Sequence, residues 1–383
     1  MQLFDVYPLF GLEPVSGKGS YVYDKNGQAY LDFYGGHAVI SIGHSHPHFV
    51  KRLQEQAAKL VFYSNSVQNP LQQALAQKLG ALSGCEEYQL FLCNSGAEAN
   101  ENALKLASFH NGRTKVITFK GAFHGRTSAA VNITDNPKIV APINRNYEAE
   151  FHEWNDLESV RTSLAKGDVA AVIIEGIQGI GGIHVPEPAF LEEVANLCRS
   201  QDTVLILDEI QSGYGRSGSF FAYQYTNVVP DLITVAKGMG NGFPIGGVLI
   251  HPRFEAKYGL LGTTFGGNHL ACAAGLAVLE VLESEQLIPH AKQLGEQLMV
   301  ELRDFSAVKE VRGHGLMIGM SMDFPIKPLR KQLLFEQHVF TGSSADPHTL
   351  RLLPPLNITE QEAEQFLSGL KTGLQQYHQT AKI

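Results

Sequence analysis

The chain has 383 residues, 44 % of them apolar and 18 % charged, a balance that supports a sizeable core and argues against disorder. Its net charge of −8 comes without a long single-sign run, which argues against nucleic acid as a main partner. No apolar run approaches the ~20 residues of a membrane helix, so no membrane association is expected.

Length suggests two domains or one large one, and there is no internal repeat. The opening residues, MQLFDVYPLFGLEP, lack a basic segment followed by an apolar core, so no secretory signal is expected. The cysteines Cys85, Cys93, Cys198 and Cys272 form neither a C-x-x-C pair nor a metal spacing, which points to a reduced, cytoplasmic compartment.

Taken in order, residues 1–48 read as an arm and a small sheet. Two alternating runs from Ser20 to Asp32 flank Lys25-Asn26-Gly27, where Asn-Gly predicts a tight primed turn. Gly17-Lys18-Gly19-Ser20 fails as a phosphate loop, because the hydroxyl does not follow the lysine directly and the upstream glycine is missing. His44-Ser45-His46-Pro47-His48 crowds three imidazoles, but with no acid or thiol nearby in sequence it reads as a loop entering a helix at Pro47, and no metal is expected. Asn69 and Pro70 start a further helix with Leu71, Leu75, Leu79 and Leu82 on one face. A strand then ends at Cys93, and a Ser-Gly turn opens a helix near Ala97 whose free N–H groups make an anion site.

Lys115–Phe119 is a strand, followed by Ala122-Phe123-His124-Gly125-Arg126-Thr127. Val169–Ile174 is fully apolar and ends at Glu175, and residues 186–200 form an amphipathic helix. Val204–Leu207 ends abruptly in Asp208. Leu232–Ala236 ends abruptly in Lys237 and a glycine-rich loop. Buried strands ending in charged residues put those charges at the carboxyl edge of a parallel sheet, where open α/β proteins bind ligands. A lysine at such an edge loses hydration, its pKa falls, and it becomes a Schiff-base former. Pyridoxal phosphate needs that lysine, an Asp or Arg on its ring nitrogen, and a phosphate cradle. Beyond this come the loop Thr263-Thr264-Phe265-Gly266-Gly267 and a buried helix from Asn268. After about residue 285 the pattern becomes α+β: a helix with Leu287, Ala291, Leu294, Leu298 and Leu302, strands around Gly315–Met320 and Thr349–Leu352, and a last helix capped by Thr359 and Glu362.

The stretch Asp208-Glu209-x-Gln211-x-Gly213-x-Gly215-Arg216-x-Gly218, followed by Lys237, resembles the class III (ornithine-type) aminotransferases, and nearly the whole chain is similar to their acetylornithine/succinylornithine branch. The resemblance implies an α/β, fold type I pyridoxal-phosphate-dependent transferase. Its large domain, with a mainly parallel sheet, spans 50–280. The smaller α+β domain is formed by 1–49 and 281–383. It implies a homodimer with active sites at the interface.

It also implies roles. Lys237 carries the cofactor and moves the proton; Asp208 holds the ring nitrogen and Gln211 the phenolic oxygen. Ser95, Gly96 and Ala97 cradle the phosphate, Phe123 stacks on the ring, and Thr264 reaches the partner's phosphate with Thr263 on the substrate side. Arg126 and Arg351 hold substrate carboxylates. The amino donor implied is the δ-amine of an N-acylated ornithine, with 2-oxoglutarate collecting it as glutamate, in arginine biosynthesis. Ornithine or 4-aminobutyrate as donor, an aminomutase, and a non-catalytic binding protein are the alternatives. In one place the chain departs from its relatives' Glu-Pro-x-Gln-Gly-Glu: Gly176 replaces the proline and Ile180 the second glutamate. That glutamate pairs with the arginine matched by Arg351, which is here either unpaired or covered by another group.

Overall fold

A computed structural model describes residues 1–380. Strands β1 (Pro14–Lys18), β2 (Tyr21–Asp24) and β3 (Ala29–Asp32) form an antiparallel meander. The β2–β3 turn is not the primed turn expected from Asn-Gly. Gly27 has φ of 81°, but Asn26 is not left-handed. The Asp24 carboxylate accepts from the Asn26 and Gln28 N–H groups (2.8 and 2.9 Å) and sets a wider loop.

The central sheet uses β4 (Gln89–Cys93), β5 (Lys115–Phe119), β6 (Ala149–His152), β7 (Val169–Glu175), β8 (Val204–Asp208), β9 (Leu232–Val235) and β10 (Gly246–Ile250). Their order is β4-β10-β9-β8-β7-β5-β6. All neighbours pair in parallel except at β10, which is antiparallel to both β9 and β4. The loop between β9 and β10 is too short for a parallel crossover, so the chain reverses there. β6 was not expected: it is a half-buried edge strand of four residues, too short to give a periodic signal.

Side chains alternate between two cores, as a sheet covered on both faces requires. Val116, Ala171, Ile173, Val204, Ile206 and Leu232 meet Ala99, Ala103 and Ala107 of the helix Gly96–Asn111. Ile117, Phe119, Val172, Ile174, Leu205, Leu207 and Ile233 point the other way, into a core with Phe190, Leu191 and Val194 of the helix Pro188–Ser200.

A third sheet, ordered β11-β12-β15-β14, contains β11 (Val308–His314), β12 (Met317–Met322), β14 (Gly342–Ser343) and β15 (Thr349–Leu352). Gly315 is the tight turn between β11 and β12 (φ 53°) rather than the start of a strand. The two-residue β13 (Val339–Phe340) pairs in parallel with β3, so a C-terminal segment closes the first sheet. On that pairing we propose the division stated above: 50–280 as the large domain, with 1–49 and 281–383 as the two parts of the small one.

Candidate active site

Parallel pairing brings the ends of β7, β8 and β9 to one edge. Glu175 lies in register with Asp208, and Asp208 with Thr234. Lys237 follows β9 in a short 3₁₀ turn, with a left-handed φ of 46°. A cavity of about 370 Å³ opens there, within the usual range for a small-molecule site. Its walls include Ser95, Gly96, Ala97, Phe123, Arg126, Glu175, Ile180, Asp208, Gln211 and Lys237.

Asp208 is buried, 3 % exposed, and held from behind. Its Oδ2 accepts from His124 Nδ1 (2.7 Å) and Asn100 Nδ2 (2.8 Å), and its Oδ1 accepts from the Ile210 N–H (3.1 Å). Each carboxylate oxygen has two lone pairs, so Oδ1 keeps one for a group in the cavity. Thr118 Oγ1 lies 3.1 Å from His124 Nε2 and completes the chain. His124 and Asn100 were not flagged from the sequence. The available signal was His124 next to the expected ring-stacking Phe123.

Burial lowers the Lys237 amine to about 8, and the Arg351 charge acts in the same direction; Asp208 and Glu175 oppose both. Burial raises Glu175, although the Phe123 and Gly179 N–H groups bond its carboxylate (3.1 and 2.7 Å).

At the other end, Ser95 is the N-cap of the helix Gly96–Asn111, its hydroxyl accepting from the Glu98 N–H (3.2 Å). Glu98 in turn accepts from the Asn94 N–H and amide (2.8 and 2.9 Å). The Gly96 and Ala97 N–H groups of that first turn have no helical acceptor, which makes this end an anion site. Gly246 is what lets β10 pass: a Cβ there would meet Ser95 O at 2.7 Å and Val235 O at 3.0 Å.

Three of the expected residues lie outside this cavity, among them Thr264, which the resemblance assigns to the partner's phosphate. Thr263 and Thr264 do not line this cavity. Thr263 Oγ1 accepts from Asn94 Nδ2 (3.4 Å), whereas Thr264 is exposed. Arg351 is 1 % exposed and lies behind the wall rather than in it. It is covered, not bare. Its Nη1 donates to Gln211 Oε1 (3.2 Å) and its Nε to Ser343 O (2.6 Å), while Gln211 Nε2 donates to His37 O (3.2 Å). Gln211 is therefore the side chain that covers Arg351. Arg126 lines the cavity and makes no ion pair among the described residues. Gly176 also has a local reason: a Cβ would lie 2.3 Å from Glu209 Oε1, and its N–H donates to Asp208 O (3.3 Å), a bond proline cannot make.

Arg216 is outside the cavity. Burial lowers it to about 9, and its guanidinium donates to the carbonyls of Leu316 (3.3 Å), Ile40 (3.2 Å) and Pro354, joining the third sheet to the site. The three imidazoles fan apart: His44 meets Asp32, His46 meets Glu285 (both 2.8 Å) and His48 meets Glu280 (2.5 Å).

A class III aminotransferase family model matches residues 7–374. The acetylornithine aminotransferase of Bacillus subtilis is 40 % identical over 380 residues, 97 % of each chain. The chain belongs to the class III aminotransferases. The acetylornithine aminotransferase of Archaeoglobus fulgidus is 40 % identical over 351 residues, 91 % of this chain and 92 % of that one. Among solved structures, the ornithine aminotransferase of Toxoplasma gondii superposes with a TM-score of 0.90 at 30 % identity, over 97 % of this chain and 92 % of that one. The acetylornithine aminotransferase of Elizabethkingia anophelis gives 0.84 at 30 % identity, over 97 % and 95 %. A further Toxoplasma structure has partial occupancy of PLP at its active site.

Class III aminotransferases depend on pyridoxal phosphate, and this site has the donors for it. A lysine with a lowered pKa, a buried aspartate with a free lone pair, an aromatic wall and an open helix N-terminus surround one cavity. No helix among the described residues is long and apolar enough to cross a membrane.

Proposed function

We propose that the chain moves the δ-amino group of an N-acylated ornithine, acetyl or succinyl, to 2-oxoglutarate in arginine biosynthesis. Lys237 beside Asp208, with a carboxylate-ready arginine on the wall, is the observation that carries this reading. The full-length similarity to acetylornithine aminotransferases supports the donor. The similarity to ornithine aminotransferases keeps free ornithine as the second reading.

Ser95, Gly96 and Ala97 would hold the cofactor's phosphate, Phe123 its ring face, and Asp208 its ring nitrogen. Bound, the cofactor supplies a carbonyl that takes up amines and a ring that accepts an electron pair. Lys237 Nζ is the amine that anchors it. Once free, the same Nζ would be the base positioned to move the proton off the substrate's amine-bearing carbon. Asp208 would accept from the ring nitrogen, with His124 and Asn100 fixing its orientation. Arg126 would take the donor's carboxylate in a two-bond fork, and Arg351 a carboxylate of the oxoacid once Gln211 moves aside.

A second copy of the chain fits the exposed apolar band around Thr264. Tyr63 is 57 % and Phe265 60 % exposed, and the Phe62 and Phe265 rings contact at 5.4 Å. Asn65 bonds Thr263 O (3.3 Å) and Gly266 O (3.1 Å), holding this loop outward. We infer that Thr264 reaches the partner's phosphate site. Sedimentation as a monomer at micromolar concentration would remove this inference. The four buried, unpaired cysteines suit a reducing, cytoplasmic location.

The reading is tested by a half-reaction. The holoenzyme, freed of oxoacid, is mixed separately with acetylornithine, succinylornithine, ornithine and 4-aminobutyrate. Fastest bleaching with one acylornithine, reversed by 2-oxoglutarate, is expected; colour that persists with all four would sink the assignment. Ile180→Glu should return an acid to the wall near Gln211 and Arg351. It is expected to raise the KM for 2-oxoglutarate by about tenfold, because the oxoacid must then displace an ion pair. Kinetics unchanged from the unsubstituted enzyme in both half-reactions would dismiss the substitution as a cause of altered specificity.

A further inference from the structure

The turn over Arg351 is strained. Gly35, Gly36, His37 and Ala38 have φ of 56°, 54°, 69° and 62°, a left-handed turn in which the last two residues are not glycine. Side chains seldom hold that conformation, and such strain gathers at functional sites. Several bonds fix it. Asp32 Oδ1 accepts from the Tyr34 and Gly35 N–H groups (3.0 and 2.8 Å), and Gln211 Nε2 donates to His37 O (3.2 Å).

The strain places two side chains. The Tyr34 hydroxyl lies against the exposed His37 ring, 3.0 Å from Nε2 and nearer to Nδ1. The Tyr34 ring packs beside Arg351: a Cβ on Gly342, which pairs with Arg351, would meet Tyr34 Cδ2 at 2.8 Å and Arg351 Cβ at 3.2 Å. Three cations act on the imidazole, Arg351, Lys237 and Arg330, and none makes an ion pair among the described residues. Arg330 Nε and Nη2 are turned to Thr341 O (3.3 and 2.8 Å), which leaves its Nη1 without an acceptor among them. Loss of water on the ring's covered side first, then these charges, hold the partly exposed His37 at about 4, so the ring is neutral and can donate from one nitrogen while accepting at the other. A phenol and a neutral imidazole beside Arg351 and Arg330, neither of which makes an ion pair among the described residues, form a corner complementary to an anion, while the nearby Asp32 carboxylate is taken up by the Tyr34 and Gly35 N–H groups.

We propose that Tyr34 and His37 form a specificity-determining pair that receives one carboxylate of the dicarboxylic oxoacid beside Arg351, with Arg330 as the positive charge behind the phenol. The proposal rests on the aminotransferase reading above. A packing role alone would make His37 a liability, since glycine fits a left-handed φ better.

The test compares His37→Gly, His37→Asn and Tyr34→Phe holoenzymes with the unsubstituted one. Binding of glutarate, a dicarboxylate that cannot react, is measured by calorimetry. In His37→Gly the melting temperature should hold or rise, while glutarate binds about tenfold more weakly and the KM for 2-oxoglutarate rises more than that for the amino donor. Tyr34→Phe should weaken glutarate binding about threefold. His37→Asn, which tolerates the left-handed turn and still hydrogen-bonds, should recover part of the affinity. Glutarate affinity within about twofold of the unsubstituted enzyme in both His37→Gly and Tyr34→Phe would overturn the pair's role. Failure of the aminotransferase reading looks different: the unsubstituted holoenzyme would bind glutarate yet pass no amine to any 2-oxoacid.

Discussion

Lys237→Ala is expected to fold, to retain pyridoxal phosphate loosely, and to lose about a thousandfold or more of its turnover. Positioned proton transfer alone contributes about a hundredfold to ten-thousandfold, and this side chain also anchors the cofactor. The substitution removes a half-buried amine that burial already disfavours as a cation, so the melting temperature should not fall. A linked expectation concerns pH. The unprotonated amine is the nucleophile, and its pKa is lowered to about 8. Capture of pyridoxal phosphate by cofactor-free protein should therefore rise about tenfold per pH unit below that point and level off just above it. An amine at its ordinary value near 10.4 would keep accelerating for about two further units. A stopped-flow profile that climbs steadily to pH 10, or full transamination by Lys237→Ala, would remove the assignment.

The second large effect is expected at Asp208. Asp208→Ala removes the negative charge at the cavity end of β8, and with it the acceptor of two buried donors, His124 Nδ1 and Asn100 Nδ2. Turnover should fall about a hundredfold or more, as when a single preorganised electrostatic contact is deleted. Each orphaned buried donor costs about 1–3 kcal/mol, so the melting temperature should also drop. His124→Phe separates the two effects, because the charge stays while its support is lost. A fall of about tenfold in turnover, with the cofactor still bound, is expected. Equal losses in Asp208→Ala and His124→Phe would mean that the pair acts through folding rather than through the ring nitrogen.

The parts of this fold that were legible in the sequence are those where burial writes a long, one-sided pattern. β7 and β8 are apolar runs buried on both faces, each ending in an acid, and β5 is as fully buried. The helices opened by Asn69, Ser95 and Asn268 announce themselves by capping oxygens that the structure uses as caps. Short or half-exposed pieces were lost: β6 at the edge, β11 before its Gly315 turn, and the helices Leu157–Leu164 and Lys327–Phe335. In the site, Lys237 and Asp208 were visible because a charge terminates an apolar run. Their supports were not. Asn100 stands 108 residues from Asp208, and only folding brings Gln211 across 140 residues to Arg351. The left-handed turn at His37 was hidden because two glycines ahead of it read as ordinary loop.

The reversed strand β10 lies between β9, which leads to Lys237, and β4, which leads to the helix N-terminus at Ser95. Two steps across a sheet are about 9.6 Å. That interval is set by backbone ladders and by the absence of a side chain at Gly246, not by any residue that lines the cavity. The molecule thus carries a built-in caliper for whatever spans its two anchoring points. Changes at Ile180 on the cavity wall, or at His37 in the turn bonded to Gln211, can alter which amine or acid is admitted while the caliper keeps its gap.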